Sequence, residues 1–277
     1  MVVRALDASA YTGQISPSVW PQLKAAGIEV FIPQIYGGGP GGTGPNPQLT
    51  NHVRGAIAGG LKVFSGYTWP PYKWEDAAVY WRSHLPDVPL GVMWLDVEAG
   101  AGVQHAHERG LASVGIPAGV YASRHTWQVE MDNDLTFGHL PLWVAYYAPG
   151  PWPTVLPKSP SILPVGWNPE QVKAWQWLGT TTLRDEQFDL NVVSESLIPQ
   201  EEDMDATQDQ RLKNVEQGIK SISAMMQGGN LSISLIKTAD KPEWYALYLT
   251  EASVWVRRHV PDPRTAILMG LDGPPRI

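Results

Sequence analysis

The sequence predicts an α/β protein. Residues 1–198 read as a compact (β/α)8-like barrel of the TIM type, followed by a short coiled-coil-like helix and a small β-rich C-terminal module. Three observations predict it. Short apolar runs alternate with amphipathic stretches about eight times in the first 198 residues, the pattern of parallel β/α units. Polar and aromatic residues gather where those runs end, which is where barrels of this kind carry their sites. Beyond residue 205 the apolar period changes to steps of three and four.

The elements follow in order. Val2–Leu6 reads as a first strand that delivers Asp7 and Ser9 at its end. Ser16-Pro17 predicts a helix start, with Ser as cap and Pro in the first turn, running to about Ala26 and stopped by Gly27. Ile28–Ile32 is a second strand leading into Gln34, Tyr36 and a Gly/Pro loop over residues 37–47. Asn51–Gly59 is a helix, Leu61–Tyr67 a third strand, and Thr68–Tyr72 an aromatic turn containing Trp69. A helix over Trp74–Leu85 precedes the stretch Leu90–Glu98, a short apolar run ending in two carboxylates. A helix near Val103–Val114, a strand at Ala118–Tyr121 and a helix near Arg124–Met131 come next. Leu142–Tyr147 is the sixth strand, and Pro149–Pro169 a Pro-rich excursion. Val172–Trp177 is the seventh strand, and Phe188–Asn191 closes the series.

Side chains alternate along a strand, so Asp96 and Glu98 point to the same side. At a rise of about 3.3 Å per residue they start about 6.6 Å apart, within the roughly 5–9.5 Å that glycosidases use for a working carboxyl pair. That spacing does not choose between retention and inversion. A D-x-E alone is equally a strand end where carboxylates meet water. Asp7, Asp96, Glu98 and Asp189 all fall at strand ends, with Gln34, Tyr36, Tyr67, Trp69, Tyr121, Trp143, Tyr147 and Trp177 around them. Four carboxylates converging on one mouth ringed by aromatics favour a site. The 13 Trp and 10 Tyr, against 4 Phe, suit surfaces that stack on sugar rings.

Charge and composition exclude other classes. The net charge of −7 argues against nucleic acid as the main partner. With no cysteine there is no disulfide framework, thiol nucleophile or thiolate metal site. His105, His107 and Glu108 do not read as a metal site, because positions two apart on a helix do not share a face. No apolar run approaches the roughly 18 residues of a membrane span. The N-terminus lacks the basic and apolar regions of a signal peptide, so the chain is expected to start directly on structure.

Residues 199–205 read as an acidic linker and 206–227 as a helix. On that helix Leu212, Val215, Ile219, Ile222 and Met226 form a heptad seam. About two heptads are marginal in isolation, so the seam must bury itself against another copy of the chain or against the barrel. Residues 228–277 read as a small module with strands at 231–237, 244–249 and 254–258 and a final helix over 263–269.

The ordered set Asp7-Ala8-Ser9, Leu95-Asp96-Val97-Glu98 and Phe188-Asp189-Leu190-Asn191 resembles glycoside hydrolase family 25, the lysozymes of phages, bacteria and fungi. Gly60–Val63, Gly66-Tyr67 and Trp175-Gln176-Trp177 fit the same pattern over residues 1 to about 198. The resemblance implies cleavage of the β-1,4 bond between N-acetylmuramic acid and N-acetylglucosamine in peptidoglycan. It implies Glu98 as general acid/base, Asp96 orienting the acetamido group and stabilising charge, and Asp7 and Asp189 completing an acidic floor. It implies no metal or organic cofactor, and action at the bacterial cell wall after phage-type release. One stretch departs from the family. Phe31–Gly39 lacks the Lys and acidic residue usual on the second strand, which puts contacts on that side in question. Two other readings stand beside the muramidase: a glycan-binding phage or wall protein without efficient catalysis, and a barrel glycosidase acting on another polysaccharide such as chitin or a capsular glycan.

Overall fold

The computed structural model describes residues 1–39, 42–69 and 73–199, and three further strands within 232–260. The chain divides into two compact units, Met1–Pro199 and Gln200–Ile277.

The first unit is a closed eight-stranded barrel wrapped by helices. Its elements run β1 (Val2–Ala8), α1 (Val19–Ala25), β2 (Ile28–Gly37), β3 (Gly44–Pro45), α2 (Leu49–Ala58), β4 (Ser65–Thr68) and α3 (Trp74–His84). They continue with β5 (Val92–Val97), α4 (His105–Ser113), β6 (Ala118–Ser123), α5 (Arg124–Met131), β7 (Leu142–Ala145), β8 (Val172–Leu183) and β9 (Glu186–Ser194). Pairing runs β1-β9-β8-β7-β6-β5-β4-β2, and β1 pairs with β2 to close the ring; the short β3 extends the far end of β2.

The alternation of each strand divides the apolar residues into two layers. Ala5, Ile32, Trp94, Trp143 and Val193 belong to one buried cluster, which fills the barrel's interior. Leu6, Phe31, Leu95, Val120 and Leu190 belong to the other, together with helix residues Trp20, Leu111 and Trp127. All six residues of β5 are buried, which is why the run carries no polar residue until Asp96. Gly119 stands beside the Trp94 indole; a Cβ there would lie 2.4 Å from its ring, so only glycine lets β6 pass so large a plug.

The directions of the strands correct one expectation. β1, β2 and β4 through β8 run parallel in their pairings, but β9 is antiparallel to both β8 and β1. No helix separates β8 from β9. They form a hairpin in which Leu183 faces Glu186, and the two loop residues Arg184 and Asp185 have φ of 54° and 68°. Asp189 therefore reaches the mouth from the early part of a reversed strand, opposite Asp7, and not from the end of a parallel one.

Smaller differences lie at element ends. The first helix starts at Val19, after a turn in which the Val19 amide donates to the Ser16 carbonyl, so Ser16-Pro17 precede the helix instead of capping it. The α5 boundary falls where expected because the Ser123 hydroxyl accepts from the Thr126 amide.

The second unit contains a three-stranded antiparallel sheet, β10 (Ser232–Lys237), β11 (Trp244–Leu249) and β12 (Val256–Val260), in the order β10-β11-β12. The heptad positions Leu212, Val215, Ile219, Ile222 and Met226, the 206–227 helix, most of the acidic linker, the 263–269 helix and the turn residues 70–72 lie outside the described residues. Among the described residues no helix is long and apolar enough to cross a membrane.

Candidate active site

Asp7, Asp96, Glu98 and Asp189 line one cavity of about 320 Å³ at the barrel mouth. Each is placed by the alternation of its strand. Asp7 stands two residues beyond inward Ala5, Asp96 two beyond Trp94, and Glu98 is the first residue past the end of β5. Asp7 and Asp96 are buried, Asp189 is partly buried, and Glu98 stands at the more open lip.

An amide network joins these groups. The Gln176 Nε2 donates to Asp189 Oδ2 at 2.8 Å and to Asp7 Oδ2 at 3.4 Å. Its Oε1 accepts from the hydroxyls of Tyr121 at 2.7 Å and Tyr147 at 3.1 Å. Asn191 Nδ2 donates to Asp7 Oδ2 at 2.7 Å, while its Oδ1 accepts from the Trp143 indole at 2.9 Å. Because an indole N–H can only donate, the Asn191 amide has a fixed orientation. Asp96 is different: its Oδ1 is buried with no hydrogen-bond partner among the described residues.

Burial dominates the electrostatics. It pushes Asp7 well above the usual carboxylate range, and the charge of Asp189 adds to the rise while Asn191 and Gln176 oppose it. Burial also lifts Asp96 well above its ordinary value, with the charges of Glu98 and Asp7 adding. Asp189 is raised to about 6, by burial first and then by Glu98. Glu98 is raised by burial. The expectation that crowding by the three aspartates lifts Glu98 is thus redirected: like-charge repulsion acts on the aspartates, and desolvation acts on Glu98.

Of the residues expected around the carboxylates, Gln34, Tyr67, Trp69, Tyr121 and Trp143 line the same cavity. Three do not. Tyr36 packs against the helix-side cluster, because the β2–β4 register shifts between Gln34 and Tyr36 and breaks the alternation. Trp177 is buried in that same outer cluster, since Gln176 takes the inward place on β8. Tyr147 lines a neighbouring cavity and reaches the acidic one through its bond to Gln176. Ser9, delivered with Asp7 at the end of the first strand, lines the acidic cavity, as do Tyr11, Gly38 and Gln176, which were not expected there. Gln176 was readable: a polar residue between two tryptophans on a strand must face opposite to both. Gln34, in the departing stretch, holds the Ala10 amide through its Oε1 at 2.9 Å, so it shapes the turn after β1.

His105, His107 and Glu108 separate as helix geometry requires. His107 Nδ1 caps its own helix by accepting from the Gln104 amide, whereas Glu108 lies between His105, at 3.2 Å, and His139, at 2.7 Å. Among the described residues no group of three or more His, Asp or Glu is arranged to hold a metal ion.

No family model matches the chain. No curated protein matches it either. Among solved structures it is similar to the CTP1L endolysin, at 14% identity and a TM-score of 0.51, over 70% of this chain and 67% of that one. The two share a fold. It is also similar to the modular Cpl-1 endolysin, crystallised with a peptidoglycan analogue, at 15% identity and a TM-score of 0.46. That alignment covers 91% of this chain and 63% of the other, so the chain spans less than two thirds of that protein's length.

Proposed function

We propose that the chain is a peptidoglycan hydrolase of the lysozyme type, an N-acetylmuramidase that cuts the β-1,4 bond between N-acetylmuramic acid and N-acetylglucosamine, as a phage endolysin does. The observation that carries this reading is the cavity shared by Asp7, Asp96, Glu98 and Asp189, two of them, Asp7 and Asp96, on strands that bury an apolar residue two positions earlier. The order of these motifs in the sequence and a fold shared with an endolysin support it.

In this reading Glu98 is the general acid/base. Its position at the lip gives it access to a glycosidic oxygen, and desolvation holds its proton toward neutral pH, as an acid catalyst requires. Asp96 supplies the unpartnered Oδ1. A substrate N–H, or the positive charge developing on the sugar, gives that oxygen a partner and returns the group to its ionised form. Asp7 and Asp189, bridged by Gln176, form the floor on which that charge is stabilised. None of these roles calls for a metal.

The test is mass spectrometry of soluble fragments released from purified peptidoglycan, with Glu98→Gln as control. Fragments carrying muramic acid at the new reducing end, absent with the variant, are expected. Sedimentation with walls but no fragments from any of them would convert the reading to a glycan-binding protein. Fragments from chitin or a capsular glycan alone would move it to another polysaccharide.

A further inference from the structure

The turn that follows β1 brings Ser9 and Tyr11 to the acidic cavity. Tyr11 is 68% exposed, and its hydroxyl stands 3.7 Å from where a Cβ on Gly38 would lie. It forms the rim beside Phe31–Gly39, a stretch with no charged residue. Within the turn, Ser9 Oγ accepts from the Tyr11 amide at 3.1 Å, and the Gly13 amide donates to the Ala10 carbonyl at 3.3 Å. From outside, Gln34 holds Ala10, and the Thr12 hydroxyl donates to the Gln187 carbonyl at 3.3 Å. A further tie comes from a helix. His52 of α2 is fully buried, edge to face with Trp20 and Phe31, and its Nε2 lies 2.6 Å from the Gly13 carbonyl.

A carbonyl only accepts, so this Nε2 carries the proton and Nδ1 is a bare acceptor. Nδ1 is buried with no hydrogen-bond partner among the described residues. Burial holds the ring below the ordinary imidazole range, against the smaller opposing effects of the Gly13 carbonyl and the Glu186 charge. An apolar side chain would pack against the same aromatics without stranding a nitrogen. What the imidazole adds is one donor, aimed at one carbonyl. Gly13 matches it. Its φ of 74° is a conformation that side chains rarely adopt, yet the space around it is open, with nothing within 4 Å of a Cβ placed there. Glycine is thus needed for the direction of the backbone, and the backbone so turned presents its carbonyl to His52.

We propose that His52 is a positioning residue for this mouth: by donating to the Gly13 carbonyl it fixes the turn that holds Tyr11 against a bound glycan, on the side where Phe31–Gly39 offers no charge. The assignment rests on the glycosidase reading above. A polymer lying over the four carboxylates also meets the rim. The Tyr11 ring adds affinity there only while its turn is held still, because ordering a loose aromatic arm on binding costs part of what its contact gains. His52 itself touches no substrate, since it lies in the core behind the turn. Its effect therefore falls on binding and passes through Tyr11, while Gln176 keeps Asp7 and Asp189 in place.

Two measurements on the full chain test this. The first needs no substrate and reads the NMR order parameters of the Tyr11, Thr12 and Gly13 amides. They are expected at about 0.85 in the wild type and below about 0.6 in His52→Leu, which removes the donor but keeps an apolar filling. They are expected to recover in His52→Gln, whose amide N–H stands in for Nε2. Unchanged values in His52→Leu overturn the proposal, whatever the protein does to walls. The second is a double-mutant cycle on soluble peptidoglycan. His52→Leu is expected to raise KM about tenfold with kcat within about twofold. His52→Gln should reverse that rise, and His52→Leu should add nothing once Tyr11→Ala is present. A fall in kcat alone, or a rise in KM that persists in the Tyr11→Ala background, overturns the positioning role. Should His52→Leu fail to fold, Gly13→Ala breaks the same contact from the other side, by backbone strain in open space, and is held to the same outcomes. Order parameters as expected, but no turnover by the wild type on any wall, would refute the glycosidase reading and with it the role toward substrate, while the anchoring of the turn would stand.

Discussion

The interior of the barrel and its mouth are built by the same strands, two residues apart, with opposite chemistry. β1 steps from Ala5 to Asp7, β2 from Ile32 to Gln34, β5 from Trp94 to Asp96 and β8 from Ala174 to Gln176, while β9 makes the step in reverse, from Asn191 to Val193. Below this level the Trp94 indole plugs the interior and meets Trp143 edge to face at 5.9 Å, and Trp143 also lines the mouth. Above it four carboxyls share one cavity. One alternation thus serves two ends: the plug stabilises the barrel, and the mouth costs stability by holding acids where they resist ionisation.

That contrast can be broken at four points. The largest effect is expected at the mouth's lip. Glu98→Gln should lower turnover by about two to four orders of magnitude with the melting temperature unchanged; wild-type rates would remove Glu98 from the mechanism. Next is the plug, where Trp94→Ala should cost about 3–5 kcal/mol in denaturant unfolding, and a loss under about 1 kcal/mol would show that the interior tolerates a cavity.

Third is the mouth's own cost. Asp189 is raised to about 6 in the fold against an ordinary 3.8, so the folded state favours its protonated form. Its contribution to stability is full below pH 4 and is lost as pH rises through about 6. Asp189→Asn should therefore melt above the wild type at pH 7.5, by about 1–2 kcal/mol in stability once partial exposure is discounted, with the gap closing near pH 4. A gap independent of pH would show that some other change is being read. The smallest effect is expected at Tyr36, which faces the helices. Tyr36→Phe should leave activity within twofold of wild type, and a larger loss of kcat would return that residue to the site.

Much of the barrel was legible because its code is local. A buried run such as Val92–Val97 admits few other readings, and Ser123 before Arg124 specifies where α5 begins. The four carboxylates were legible for the same reason, each being the first polar residue after an apolar run or set by a strand's alternation. The direction of β9 was not. A strand's alternation reads the same both ways, and the usual hairpin signal is a two-residue Asn-Gly or Asp-Gly turn. Here Arg184-Asp185 take positive φ without glycine, so the turn leaves no mark in the sequence. Tyr36 was misplaced because a register shift is decided by the neighbouring strand, β4, and not by the residues on either side. Gln176 was overlooked beside Trp177, which drew attention as a residue of the mouth, though alternation sets Gln176 on the opposite face.

The reversed last strand also fixes when this protein can exist during synthesis. β1 must wait for β9, whose residues pair with it from Val2–Ser194 to Asp7–Asp189, across most of the unit. Until residue 194 has left the ribosome, β1 and β8 both present an unpaired edge, and the plug has no complete wall. Contacts this distant in sequence form slowly, and open edges invite association with other chains. A chain stopped at the β8–β9 turn would still carry both open edges. The final nine residues of the hairpin act as the closing stave that makes the vessel watertight.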